Sequence, residues 1–364
     1  MNIKFPVYQP SLIGNEKKYV NECLDSNWIS SKGQFVNKFE TEFANFLEVK
    51  YGAAVSNGTV ALHLALLALG IGEGDEVIVP TLTYIASVNA ITYTNAIPVF
   101  ADSLESNWQL DPKEVEKKIT KKTKAVLAVH LYGHPCDMKS LQKICSDKKI
   151  YLIEDCAEAL GSLYEGKQVG SYGDISTFSF YGNKTITTGE GGMVVTNNEA
   201  LDRKVRSLKG QGLATNREYW HDTIGYNYRM TNICAAIGLA QLEGIENTLA
   251  KKQQIAQWYS IALKDTQFEL QPQDKNVKHS YWMCTIKTPE NIGLMELKNH
   301  LRFNGIETRP VFFPIHTMPM YERPNEKFPI AEKISQNGIT LPSYPDLTKD
   351  NIHEIVDKVR SFLK

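Results

Sequence analysis

Short apolar, β-branched runs recur along the first part of the chain and constrain its fold more than any other feature. Each has the length of a buried strand, and helix-like segments lie between them: EVIVP (76–80), IPVFAD (97–102), KAVLAVHLYG (124–133), IYLIEDCA (150–157), ISTFSF (175–180) and GMVVTN (192–197). Such alternation is typical of a mostly parallel sheet covered by helices on both faces. The sequence therefore predicts an α/β fold, in which the last two runs are close enough to form an antiparallel return.

The chain changes character beyond about residue 240. A long polar helix, LEGIENTLAKKQQIAQWYSIALKD, precedes weaker strands and a further helix near MELKNHLRFNG. We therefore predict a large domain over residues 1–240, which includes the N-terminal segment, and a smaller C-terminal α+β domain over 241–364.

Charge and cysteine content exclude several classes of function. The 40 Lys and Arg residues nearly balance the 41 Asp and Glu residues, so long-range attraction to nucleic acid or an anionic membrane is not expected. The six cysteines are scattered without a CxxC pair, which favours reduced thiols over disulfides or structural zinc. The N-terminus lacks the apolar region of a secretory signal. We expect a soluble cytoplasmic protein that binds small molecules or a second copy of itself, with no metal.

The segment VSNGTVALHLALLALG (55–70) is a candidate anion-binding site. Ser56 and Asn57 are good N-cap residues, Gly58 permits unusual dihedral angles, and an Ala/Leu-rich helix follows. The N–H groups and dipole at such a helix start favour a phosphate. An ordinary helix cap explains the same residues. The segment matches neither a P-loop nor the GxGxxG fingerprint of dinucleotide oxidoreductases.

Asp155 ends an apolar run, at the end of a predicted strand where ligands of parallel sheets collect. A buried carboxylate needs a partner, and a cationic ring nitrogen would provide a charge-assisted hydrogen bond. Alternatively, Asp155 caps the next helix. Glu158, three residues on, would share a helical face with Asp155.

Lys184 lies among small and hydroxylated residues in FSFYGNKTITTGEGGMVVTNN (178–198). A desolvated lysine has a lowered pKa and can form a Schiff base, whereas a solvated surface lysine is the alternative interpretation. A helix start for a phosphate, a strand-end carboxylate for a ring nitrogen and a lysine for an aldehyde together meet the requirements of pyridoxal 5'-phosphate.

The chain resembles the sugar-nucleotide aminotransferases of the DegT/DnrJ/EryC1/StrS family, which have the type I, aspartate-aminotransferase-like fold. The resemblance extends essentially from end to end. It includes VYQPSLIGNE, DSNWISSKG, VSNGTVALHLALLALGI, GDEVIVPTLTYIASVNAI, VHLYGHPCDM, IEDCAEALGS, GDISTFSFYGNKTITTGEGGM, YWHDTIGYNYRMTNICAAIGLAQLE and ETRPVFFPIHTMPMY.

The resemblance implies roles for individual residues around the cofactor. Lys184 matches the lysine that binds the cofactor covalently, Asp155 the carboxylate paired with the pyridine nitrogen, and Glu158 the polar residue near the ring hydroxyl. Tyr84 matches the aromatic residue that stacks on the ring, although a core tyrosine is the alternative. The residues expected around the phosphate are Ser56, Gly58, Thr59 and Ser179.

Further residues match segments that line the sugar-nucleotide site or reach across a subunit interface. Asn227 corresponds to a residue that contacts the phosphate from the partner subunit, which implies a homodimer, possibly one that associates further. The candidate substrate contacts are Trp28, Ser30, Arg309 and His316. Arg309 could instead be an ordinary ion-pair partner, and His316 a loop histidine with satisfied hydrogen bonds. Arg229 could recognise a donor carboxylate or, as we favour, stabilise the interface.

The resemblance further implies amino transfer from L-glutamate to C4 of a GDP-linked 4-keto-6-deoxy sugar, in the supply of O-antigen or other surface-polysaccharide precursors. A related GDP-sugar dehydratase carries histidine where this chain has Lys184, so the lysine favours amino transfer. Two alternatives stay open: a UDP- or dTDP-linked ketosugar as acceptor, and a non-catalytic regulator that keeps the cofactor-binding residues.

Overall fold

The computed structural model describes residues 3–214, 216–290 and 292–362. In chain order, the strands are β1 Tyr51–Val55, β2 Glu76–Pro80, β3 Ile97–Ala101, β4 Thr123–Val129, β5 Tyr151–Asp155, β6 Leu163–Tyr164, β7 Lys167–Gln168, β8 Ile175–Ser179, β9 Gly192–Thr196, β10 Glu269–Leu270, β11 Val277–Lys278, β12 Cys284–Lys287, β13 Arg309–Pro310 and β14 Gly338–Leu341.

The α-helices are α1 Glu16–Asp25, α2 Gln34–Phe46, α3 Gly58–Ala68, α4 Ile85–Tyr93, α5 Pro112–Lys118, α6 Met138–Lys148, α7 Glu199–Lys209, α8 Asn232–Glu243, α9 Ile245–Leu263, α10 Leu294–Phe303, α11 Pro329–Gln336 and α12 Lys349–Ser361. Short 3-10 turns cover Leu131–Gly133 and Ile315–Thr317. None of the described helices combines the length and apolarity needed to cross a bilayer.

A seven-stranded sheet with the order β1-β9-β8-β5-β4-β2-β3 forms the centre of the molecule. Strands β8, β5, β4, β2 and β3 run parallel, whereas β9 is antiparallel to both of its neighbours. The predicted α/β fold and the antiparallel return of β9 are therefore confirmed. Strand β1, which pairs with β9, was not predicted, because its sequence YGAAV has only one β-branched residue.

Helices pack on both faces of this sheet. Alternate residues of β4 show this directly, since Val126 lies in one hydrophobic cluster and Leu127 in the other. The first cluster includes Phe39 and Phe43 of α2, and the ring of Phe43 lies 5.0 Å from that of Phe178 in β8. The second includes Leu64 of α3. Burial on both faces explains the continuous apolar runs of the central strands.

A smaller antiparallel sheet with the order β10-β12-β14-β13 follows in the C-terminal part of the chain. Its hydrophobic cluster includes Ile255 of α9, Leu297 of α10 and Ile355 of α12. Phe5, from the N-terminal segment that we assigned to the large domain, also packs in this cluster and forms a bridge with Ile306. A third sheet joins β11, β6 and β7. The boundary near residue 240 stays a prediction.

The structure corrects two local predictions. The long helix expected from Leu242 onward is divided, since α8 ends at Glu243 and α9 begins at Ile245 after a glycine. No helix follows β5: residues 156–161 form turns, so Asp155 and Glu158 do not share a helical face. Gly161 adopts a φ of +83°, and a Cβ there would lie 2.3 Å from a methyl carbon of Leu249. This left-handed, crowded position favours glycine and is incompatible with a continuing helix.

Candidate active site

A cavity of about 610 Å³ opens at the carboxyl ends of β4, β5 and β8. The terminal residues of these strands, Val129, Asp155 and Ser179, all line it. The structure brings together seven of the predicted site residues around this cavity: Gly58, Thr59, Tyr84, Asp155, Glu158, Ser179 and Lys184. Residues from four distant segments therefore converge at the edge where ligands of parallel sheets bind.

The start of helix α3 forms one end of the cavity. Asn57 is the N-cap, and its side-chain oxygen accepts a 3.0 Å hydrogen bond from the N–H of Val60. The N–H groups of Gly58 and Thr59 precede the first intrahelical hydrogen bond and are available to an anion. A Cβ on Gly58 would lie 2.7 Å from the Cβ of Ser179, so glycine allows the end of β8 to approach this helix.

Asp155 is buried and is held through both carboxylate oxygens. Oδ2 accepts a 2.7 Å hydrogen bond from the hydroxyl of Ser87 in α4, and Oδ1 accepts one of 3.0 Å from the N–H of Ala157. Ser87 was not predicted, because a single serine in an apolar helix gives no signal of such a role. The turn after β5 and helix α4 together fix the direction in which the carboxylate faces the cavity.

Lys184 is half-buried, and its Nζ lies 4.0 Å from the centre of the Trp282 ring. Burial lowers the pKa of Lys184, and the negative charges of Glu158 and Asp155 partly oppose this shift. A lowered pKa increases the fraction of neutral amine, which is the form that acts as a nucleophile or a base.

Glu158 is buried beside this lysine. Its Oε2 accepts a 2.7 Å hydrogen bond from the N–H of Tyr132, a residue with a φ of +59°. Burial raises the pKa of Glu158 to about 7, although the positive charge of Lys184 favours ionisation. The carboxyl group can therefore donate or accept a hydrogen bond near neutral pH.

An aromatic wall forms one side of the cavity. The buried ring of Tyr132 stacks between Trp282 and Phe312, at centroid distances of 6.2 and 5.3 Å. The ring of Tyr84, which is 55% exposed, lies 5.6 Å from Phe312. Phe312 falls within a motif that carried the family resemblance, but neither it nor Trp282 was predicted to line the site.

These residues fit pyridoxal phosphate on their own chemistry. Gly58 leaves a cradle at the start of α3 that a side chain would fill, with N–H donors suited to a phosphate. A fixed carboxylate and a desolvated amine border the same cavity. The half-exposed Tyr84 offers a ring face for stacking.

Ser56 and the four candidate substrate residues do not line this cavity in the single chain. Asn57, rather than Ser56, forms the cap of α3, and the N–H of Ser56 donates to the carbonyl of Tyr228 at 2.9 Å. Trp28 and Ser30 are exposed, and their carbonyl oxygens accept hydrogen bonds of 2.7 and 2.6 Å from the side chain and backbone of Asn232.

Arg309 forms an ion pair, and His316 has hydrogen-bond partners for both ring nitrogens, as their alternative interpretations predicted. Arg309 is exposed and pairs with Glu307 at 2.7 Å. His316 is buried, with Nδ1 2.7 Å from the hydroxyl of Thr81 and Nε2 3.2 Å from a carboxylate oxygen of Glu332. Their contact with substrate stays a prediction, as does that of Trp28 and Ser30.

Asn227 is exposed and does not line the cavity of its own chain. Its Oδ1 accepts hydrogen bonds of 3.1 and 2.9 Å from Nε and Nη2 of Arg229, which supports a structural role for this arginine. The surrounding segment exposes several large apolar side chains, among them Tyr219 (94%) and Ile224 (86%).

The chain matches the sequence model of the DegT/DnrJ/EryC1/StrS aminotransferase family over residues 10–360. It is 58% identical over 357 residues to a GDP-perosamine synthase of Escherichia coli O157:H7, and 51% identical over 361 residues to one of Vibrio cholerae. Each alignment covers 98% of both chains. The crystal structure of DesV of S. venezuelae, in complex with a ketimine intermediate, superposes with a TM-score of 0.91 at 34% identity, covering 96% of this chain and 94% of DesV.

Proposed function

This chain belongs to the DegT/DnrJ/EryC1/StrS aminotransferase family, and we propose that it transfers the amino group of L-glutamate to C4 of GDP-4-keto-6-deoxy-D-mannose, which gives GDP-perosamine. The observation that carries the choice of sugar is the 58% identity with a GDP-perosamine synthase over 98% of both chains. We further propose that the product supplies O-antigen or other surface-polysaccharide synthesis.

Aminotransferases of this family depend on pyridoxal phosphate. When bound, this cofactor supplies an aldehyde that joins amines covalently and a ring that delocalises the electron pair released at the neighbouring carbon. The N–H groups of Gly58 and Thr59, with Ser179, would hold its phosphate. Asp155 would pair with the ring nitrogen, and Tyr84 would cover the ring.

Lys184 would move the proton in this reaction. Its lowered pKa favours a neutral amine, which can take a proton from the α-carbon of the amino donor and, with the cofactor bound, would return it to the carbon of the cofactor's former aldehyde group. Asp155 is oriented by Ser87 and Ala157. Its carboxylate would face the ring nitrogen of the bound cofactor and stabilise the positive charge of that nitrogen. The ring of Trp282 covers one side of the amine and limits the access of water to it.

We also propose that the active protein is a homodimer in which Asn227 reaches the phosphate site of the partner subunit. The exposed position of Asn227 and its apolar surroundings support this proposal, since isolated proteins rarely expose such groups of large apolar side chains. Mixing Lys184→Ala protein with Asn227→Ala protein tests it. Activity should reappear after subunit exchange, because one hybrid site then has both residues; no recovery despite exchange would refute the shared site.

The central experiment supplies the purified protein with L-glutamate and GDP-4-keto-6-deoxy-D-mannose. Mass and NMR spectra should show an amino group at C4 of the sugar, and Lys184→Ala protein should give none. Parallel reactions with UDP- and dTDP-linked ketosugars test the first alternative. Faster turnover of either would reassign the substrate.

Addition of glutamate alone tests the second alternative. An aminotransferase should lose the yellow colour of its bound cofactor as the amino group is transferred, whereas a non-catalytic regulator should retain it. A stable colour would contradict the proposed activity whichever sugar is the acceptor.

A further inference from the structure

Lys252 of α9 is a buried cation that pairs with no carboxylate in the described part of the chain. Only 1% of the residue is exposed. Its Nζ donates to the carbonyl of Trp282 at 2.8 Å and to the carbonyl of Ser343, and the hydroxyl of Ser343 lies 3.5 Å away. Burial of an ammonium group against neutral oxygens is unfavourable, so packing alone does not explain this lysine.

Two residues connect Lys252 to the loop that carries Lys184. The carbonyl of Trp282 contacts Lys252, while its indole N–H donates to the carbonyl of Asn183 at 2.7 Å and its ring lies against Nζ of Lys184. Nζ of Lys252 also lies 5.2 Å from the centre of the Tyr8 ring, and the hydroxyl of Tyr8 donates to the carbonyl of Lys184.

We propose that Lys252 is a positioning residue whose ammonium group holds Trp282 and Tyr8 against Asn183 and Lys184, and thereby fixes the amine of Lys184 in the cavity. The importance of this contact for amino transfer rests on the proposed function. The contact itself is independent of which sugar is the acceptor.

Lys252 is mostly protonated at neutral pH, because burial lowers its pKa only to about 8. The three N–H donors of the ammonium group then face three oxygens, two of them carbonyl oxygens that can only accept. Burial raises the pKa of Cys284 to about 12 and lowers the pKa of His279, and burial also raises the pKa of Tyr8. These neighbours are therefore neutral at neutral pH, and Lys252 is the cation of this group.

Tyr259 provides a matched control on the same helix. It is also buried, and its hydroxyl donates a 2.8 Å hydrogen bond to the carbonyl of Pro342, next to Ser343. Tyr259→Phe therefore removes one donor to this turn without touching Trp282 or Tyr8. A purely structural role of Lys252 would make the two variants behave alike.

The test is amide hydrogen exchange of the intact holoenzyme, followed by mass spectrometry of its peptides. In Lys252→Met protein, exchange of the peptide that contains residues 181–186 should rise about tenfold, the effect of losing roughly one hydrogen bond. The rate of amino transfer from glutamate in a single turnover should fall by a similar factor. Tyr259→Phe should raise exchange around residues 340–344 only and leave the transfer rate unchanged.

Tyr8→Phe provides a second measurement if the Lys252 variant does not fold. It keeps the ring beside Lys252 but lacks the hydroxyl that contacts Lys184, so exchange at 181–186 should again rise. Unchanged exchange of this peptide in a folded variant, or an equal increase in Tyr259→Phe, would overturn the proposal. Because exchange is measured without sugar, a wrong sugar assignment would leave this result intact.

Discussion

The hydroxyl of Ser87 donates a 2.7 Å hydrogen bond to Oδ2 of Asp155, which joins helix α4 to the end of strand β5. Both residues are buried, and the second carboxylate oxygen is held by the N–H of Ala157. The side chain that is expected to meet the cofactor ring therefore has its rotation fixed before any ligand enters. Such preorganisation is a main source of electrostatic stabilisation in enzymes.

Ser87→Ala should weaken cofactor binding. A hydrogen bond to a charged group contributes about 1.5–3 kcal/mol, so the dissociation constant for pyridoxal phosphate should rise roughly 10- to 100-fold. Titration of cofactor-free protein measures this constant. The control is Ser140→Ala, which removes a similar 2.6 Å bond to Asp137 at the start of α6, outside the cavity. Equal weakening in both variants would contradict a role through Asp155.

Lys184→Ala should abolish turnover while the protein stays folded. The variant lacks the amine that is expected to move the proton, and it removes a half-buried amine whose desolvation is unfavourable, so its melting temperature should not decrease. Product formation and calorimetry check the two expectations. Lys143→Ala, which removes an exposed ion pair with Asp147, should leave both unchanged. Near-normal turnover of the Lys184 variant would remove the central assignment.

Gly58→Ala should disturb the phosphate end of the cavity. The added Cβ would lie 2.7 Å from the Cβ of Ser179, and overpacking of this kind costs about 1–3 kcal/mol of folding free energy. Adding Ser179→Gly removes the 2.7 Å contact and leaves one of 3.3 Å to the Cα of residue 179, so it should restore part of the lost melting temperature. Cofactor affinity should stay low in the double variant, because Ser179 is itself an expected phosphate donor. Restored affinity would show that Ser179 does not contact the phosphate.

The stability contributed by Lys252 should increase with pH. Burial lowers the pKa of Lys252 to about 8, from 10.5 when exposed, so the unfolded chain binds more protons than the folded one between these values. The free energy of unfolding should therefore rise by about 3 kcal/mol across this interval. Lys252→Met should lack this rise, whereas Tyr259→Phe should retain it. Urea unfolding at several pH values measures the difference, and parallel curves for wild type and Lys252→Met would contradict the shift.

The architecture could be predicted because buried parallel strands leave a clear pattern. Each of the six apolar runs became a strand, from Glu76–Pro80 to Gly192–Thr196. The elements that were not predicted, strand β1 and the turn after Asp155, depend on contacts between residues that are far apart in sequence. Strand β1 is held in the sheet by β9 rather than by its own propensity, and the turn after Asp155 follows from side-chain capping and the crowded Gly161.

The site was predictable only in part for the same reason. Gly58, Asp155 and Lys184 stand in unusual local surroundings, so residue type and position were informative. Ser87, Trp282 and Lys252 are ordinary residues in their own segments. Ser87 contacts Asp155, Trp282 contacts Lys184, and Lys252 contacts Trp282, and these contacts arise only when distant segments pack together. Local sequence carries no sign of such contacts.

The position of β1 beside β9 also sets the earliest point during synthesis at which the expected cofactor site can form. The loop of Lys184 leads into β9, and β9 is the neighbour that holds β1 and, through it, the start of α3. Residues up to 196 must therefore be synthesised before the start of α3 and Lys184, the expected contacts of the cofactor, can be held together in one sheet. Until then one edge of the growing sheet stays unpaired, as is usual for sheets whose paired strands are far apart in sequence.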